Sequence, residues 1–155
     1  MRFSSTKSNG LVLWLALAGA VGCGDNQDDA GARDLLARVR SEGYRDWSRA
    51  PGWEDARRPT RAPHADAVDI YVNDTLLVAY ESGEPLAEWP LGSIVVKDGW
   101  SGSDLELVAI MEKRGDGWYW AEYDADGAPS YSGRPELCID CHRAGSDYIR
   151  AFVLP

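Results

Sequence analysis

Histidine, methionine and cysteine are scarce in this 155-residue chain, which holds two, two and three of them. A zinc site takes four Cys or His ligands, and beyond one tight cluster near the C-terminus only Cys23 and His64 are left to supply them. Three cysteines is an odd number for a disulfide framework. Basic residues are outnumbered, 16 against 25 acidic ones for a formal net charge of −9, which argues against a nucleic-acid partner. No apolar run is a comfortable membrane span, since Leu11 to Val21 is too short. There is no internal repeat and no room for a second domain, so from about residue 32 onward the chain is one small domain of ordinary size.

The first 22 residues read as an export signal, with Arg2 and Lys7 before the apolar run. That run ends in Ala20-Val21-Gly22-Cys23, which resembles a bacterial lipobox with Ala20 in place of the usual Leu. Cys23 is then the lipidated first residue of the mature chain; the competing reading is ordinary cleavage that leaves a free thiol. The expected location is periplasmic, on a lipid anchor to a bacterial membrane. Residues 23–31 are polar and acidic without apolar periodicity and read as a flexible tether. Loss of Arg2 and Lys7 makes the exported chain still more acidic, which suits solubility and also electrostatic steering toward a basic redox partner such as another cytochrome.

Cys138-Ile139-Asp140-Cys141-His142 is the chain's most specific motif. A CxxCH box reads as covalent c-type haem attachment, one haem per chain, with His142 as the axial ligand of the iron. A redox dithiol does not need a histidine directly after its second cysteine, and half a zinc site lacks its other half. One lipid anchor and two haem thioethers use all three cysteines, and export fits, because c-type attachment takes place outside the bacterial cytoplasm.

Patterning predicts an α+β fold, mainly antiparallel sheet with a few short helices. Leu35, Leu36 and Val39 predict an amphipathic helix over 34–45 ending near Gly43. Residues 68–72 alternate as a strand, and Asn73 or Asp74 caps a short helix through Ser82. Residues 93–98, 105–113 and 118–123 read as strands, with Asp116-Gly117 turning the last two. Residues 137–143 form a short helix or turn bearing the CxxCH box, and 148–153 a final strand. Common electron-transfer cytochromes are instead helical, with an N-terminal box and a distant Met ligand. Helix-bundle gas-binding cytochromes carry a C-terminal box, but no four-helix pattern is visible here.

Alternation places Lys97 on the face of Val95 and Ser93, so its stem is partly covered; a solvent-facing strand lysine is the competing reading. Arg57, Arg58 and Arg61 either face haem propionates or form a solvated loop. Met111 is either core or an iron ligand, and His64 either a loop histidine or a sixth ligand.

Ile70-Tyr71-Val72-Asn73, Trp89-Pro90-Leu91-Gly92-Ser93-Ile94-Val95-Val96-Lys97, Met111-Glu112-Lys113, Gly117-Trp118-Tyr119-Trp120 and the haem box with Asp147-Tyr148 together resemble the cytochrome P-460 family. The resemblance runs from about Tyr44 to Phe152, and the family is similar to the c-prime-beta cytochromes. It implies a β-rich, usually dimeric protein with five-coordinate haem, His142 proximal, and an open distal site. It implies a haem cross-link at Lys97, an aromatic over the distal face at Trp89 (hydrophobic core being the other reading), and oxidation of hydroxylamine with nitric oxide chemistry following. The chain departs from the pattern where the family's distal carboxylate falls on Ala109; Glu106 and Glu112 lie nearby but need a register shift. Hydroxylamine oxidoreductase activity is therefore weighed against non-catalytic binding of nitric oxide or carbon monoxide, and against plain electron transfer.

Overall fold

The computed structural model describes residues 27–55, 57–60 and 63–155. The export signal, Cys23 and Arg61 lie outside the described residues.

Helix α1 spans Asp29–Ser41 and buries Ala32, Leu35, Leu36 and Val39, a stripe spaced three and four residues apart. The predicted helix began at residue 34, because the large apolar residues begin there. The acidic residues before it, read as tether, start the helix instead. Asp28 Oδ1 accepts the Gly31 N–H at 2.9 Å as N-cap, and Asp28 N–H donates to Ser132 Oγ at 2.9 Å. Gly43, at φ +67°, ends the segment and leads into a 3₁₀ turn at Tyr44–Asp46.

Short strands β1 (Ser48–Arg49) and β2 (Arg58–Pro59) pair with opposite ends of β3 (Ala67–Val72). Helix α2 (Asp74–Glu81) follows at once, capped by Asn73, whose side chain accepts the Leu76 N–H at 3.3 Å. Strands β4 (Ile94–Ser101), β5 (Asp104–Arg114), β6 (Gly117–Asp124) and β7 (Pro129–Gly133) continue the sheet, and α3 (Glu136–His142) follows it. The order β1-β3-β4-β5-β6-β7, with β2 also on β3, makes one seven-stranded sheet in which every pairing is antiparallel. The predicted fold class therefore holds.

Two corrections concern the ends of the sheet. Strand β7 carries Pro129 and Gly133, residues that break a strand pattern yet suit an edge, and it was not predicted. The final strand predicted over 148–153 does not form. Asp147 and Tyr148 hold left-handed φ values of 42° and 67°, which turn the chain back into a single Ser146–Ile149 bridge.

Side chains alternate between two packed layers. One face of the sheet (Tyr71, Ile94, Val96, Val108, Ile110, Tyr119, Ala121, Tyr123) receives α1. Tyr123 Oη donates to the Ala32 carbonyl at 2.6 Å, and Tyr119 Oη to that of Asp28 at 3.0 Å. The opposite face packs Val68, Ile70, Val72, Val95, Met111, Trp118 and Trp120 against α2 and the C-terminal segment. This second layer is incomplete over the centre of the sheet, where α3 stands off and leaves a cavity.

Candidate functional site

Helix α3 spaces Cys138, Cys141 and His142 three and four residues apart, so all three share one face, and all three line a cavity of about 460 Å³. This volume is within the range of small-molecule and cofactor sites. A second cavity, about 300 Å³, adjoins it across Pro63, His64, Lys97, Cys141 and His142.

His142 is held from two sides. Its ring meets the Trp120 ring edge-on at 4.7 Å between centroids, and Nδ1 lies 2.9 Å from the Tyr148 carbonyl oxygen. A carbonyl only accepts, so Nδ1 bears the proton and the Nε2 lone pair is free. Burial pulls the imidazole down to about 4, against the Tyr148 bond, which favours the cation. A neutral imidazole with a free Nε2 is the form that ligates metal. Cys138 and Cys141 are free thiols, and burial pushes Cys138 up to about 11.

The floor of the cavity is formed by the β4, β5 and β6 members of two cross-strand rows, with Tyr131 of β7. Ile70, Lys97, Ala109, Glu122 and Tyr131 are successive register partners across β3 to β7, beside the row Val72, Val95, Met111, Trp120 and Gly133. Lys97 thus faces the cavity from mid-sheet. Burial lowers its ammonium to about 8, opposed by the Glu122 carboxylate.

Glu122 went unnoticed in the sequence, although it follows Trp118 and Trp120 on alternate positions of one strand face. Its carboxylate lies one strand away from the position where the resemblance expects one, since Ala109 and Glu122 are direct partners. His64 Nδ1 lies 3.1 Å from Glu122 Oε2, and the His64 ring stands 6.2 Å from that of His142. Ala65, next to His64, sits at φ +65°, a conformation that costs an L residue roughly 1–2 kcal/mol and turns the loop toward the cavity. Glu106 is exposed. Glu112 points to the α1 face and pairs with Arg38 and Arg114.

Other sequence candidates go elsewhere. Trp89 lines neither cavity. Its ring packs edge-on against Phe152 at 5.5 Å, and its backbone N–H donates to Asp147 Oδ2 at 2.8 Å; the structure therefore seats it in the core. Arg57 pairs with Asp69 over the Trp100 ring, and Arg58 lies over Trp53. Arg150, unremarked in the sequence, borders the second cavity and donates to the Cys141 carbonyl at 3.2 Å. Met111 lines the first cavity.

The family model for cytochrome P460 matches residues 41–149. The chain belongs to the cytochrome P460 family. No match was found among curated proteins. As a cytochrome P460 the chain is a haem-binding protein, and the cavity suits that group. Two free thiols and a neutral imidazole converge from one helix face, and the remaining walls are largely apolar, with Val95, Ala109, Met111, Trp120 and Leu137.

Proposed function

We propose that this cytochrome P460 carries one covalent haem c on Cys138 and Cys141, with His142 Nε2 on the iron, and oxidises hydroxylamine. The observation that carries this reading is the single row of Lys97, Ala109 and Glu122 facing the helix of Cys138, Cys141 and His142. When bound, haem supplies the one-electron chemistry and an iron site open to a small nitrogen species. The chain's own residues supply orientation and protons. Trp120 and the Tyr148 carbonyl fix the His142 ring. Glu122, oriented by His64, is a base on the cavity wall for protons that an oxidised nitrogen substrate must shed. Lys97, whose burial leaves part of it neutral near pH 8, is a nucleophilic amine suited to linkage at the edge of the macrocycle.

A second reading, reversible binding of nitric oxide or carbon monoxide without turnover, is favoured by Ala109, which leaves β5 without a carboxylate in the cavity row. Hydroxylamine-dependent reduction of an acceptor dye separates the two. Sustained turnover that fails in Lys97→Ala supports the enzyme; ligand binding without turnover supports the gas binder. Intact mass and the denatured haem spectrum test covalent attachment. Export on a Cys23 lipid anchor, a homodimer and electron delivery to a basic periplasmic carrier complete the proposal; metabolic labelling with palmitate tests the anchor.

A further inference from the structure

Lys113 and Asp147, 34 residues apart in sequence, meet as an ion pair that the proposed chemistry does not use. Lys113 Nζ lies 3.1 and 2.9 Å from the two Asp147 oxygens, and the side chains are 7% and 11% exposed. Asp147 Oδ2 also accepts the Trp89 backbone N–H. Asp147 and Tyr148 share a left-handed backbone, which aims the Tyr148 carbonyl at His142 Nδ1. The rest of the turn is equally fixed. Gly145 N–H donates to the His142 carbonyl at 2.8 Å, Ser146 Oγ accepts the Leu154 N–H at 3.0 Å, and a Cβ on Gly145 would collide with the Ile149 carbonyl. Strand β5 is thereby clamped to the single carbonyl that holds the histidine.

We infer that Lys113 and Asp147 are positioning residues for His142, setting through the Tyr148 carbonyl how strongly the imidazole donates to a bound iron. The inference rests on His142 being the axial ligand. A hydrogen bond from the far ring nitrogen raises the basicity of a ligating histidine; a more basic ligand strengthens the iron–histidine bond and favours the oxidised iron. Glu88, the other carboxylate on Lys113 at 2.9 Å, is 70% exposed and contributes little.

The test is resonance Raman of the ferrous, haem-loaded protein, read at the iron–histidine stretch, together with its reduction potential. Asp147→Asn keeps an acceptor for Trp89 and tolerates the left-handed backbone while removing the charge; Lys113→Met removes the partner. Both are expected to lower the stretch and raise the potential, and the double variant to add little beyond the larger single effect. Glu88→Gln is expected to leave both readouts unchanged. Unchanged stretch and potential in Asp147→Asn overturn the inference even where its unfolding temperature falls, and this variant decides the matter if Lys113→Met does not fold. A wild-type spectrum with no stretch that His142→Ala abolishes overturns the axial-ligand reading itself, and the clamp with it.

Discussion

Replacing Glu122 by Gln separates proton transfer from geometry. Gln keeps the size of the side chain and an oxygen to accept the His64 Nδ1–H, now 3.1 Å from Glu122, and the flanking partners Ala109 and Tyr131 are untouched. Only the capacity to take up a proton is lost. A positioned general base contributes about 10²–10⁴-fold, equivalent to about 3–5 kcal/mol of barrier. The expected outcome is a fall in kcat of at least about 100-fold in hydroxylamine-dependent dye reduction, with haem content and ferric spectrum retained. Ala109→Glu in the same chain tests the row directly, because Ala109 is the register partner of both Lys97 and Glu122. Opposed side chains have Cβ atoms about 5 Å apart, so the new carboxylate enters the same wall and is expected to restore about tenfold or more of the lost rate. Glu122→Gln activity within about threefold of wild type is far below a general-base effect and would refute the assignment.

Asp98 is fully buried and accepts from Tyr44 Oη at 2.8 Å and Arg45 Nε at 2.7 Å. Asp98→Ala strands the Tyr44 hydroxyl in the core while Arg45, half exposed, reaches water, so urea unfolding should show a loss of about 2–3 kcal/mol; under about 0.5 kcal/mol would contradict this account. Because Asp98 lies on the α1 face, its haem spectrum should not change. Gly145→Ala must displace the Ile149 carbonyl and is expected to cost more than about 1 kcal/mol, read as a lower thermal midpoint. His142 is held near 4 by burial, below its ordinary value of about 6.5. As pH falls between these values the unfolded haem-free chain binds a proton that the folded one does not. Folding stability should therefore be full above about pH 6.5 and decline toward pH 4, by about 2–3 kcal/mol; His142→Gln should flatten that slope, and an unchanged slope in the variant would place the acid sensitivity elsewhere.

Much of the fold was legible because alternation and turn chemistry act locally. Residues 68–72 and 118–123 alternate between the two packed faces of the sheet, Asn73 caps α2, and Gly117 turns the β5–β6 hairpin, each through neighbours in sequence. The misread ends had non-local causes. Asp28 and Asp29 look like solvated tether until Ser132 of β7 receives them. Residues 148–153 are apolar enough for a strand, and their buried members Ile149 and Phe152 do enter the core, but through an irregular turn shaped by Lys113.

The shared helical face of Cys138, Cys141 and His142 is readable from the chain alone, since an i, i+3, i+4 spacing carries its geometry within one turn. So is the strand face of Lys97, because the side-chain period of a strand is two. What stands opposite them depends on how separate parts of the chain come together. The pairing register of β5 and β6 brings Glu122 beside Ala109, and chain return over the sheet brings His64 to Glu122 and Asp147 to Lys113. These partners are separated by 13, 58 and 34 residues, and contacts across such distances are fixed by packing of the whole domain.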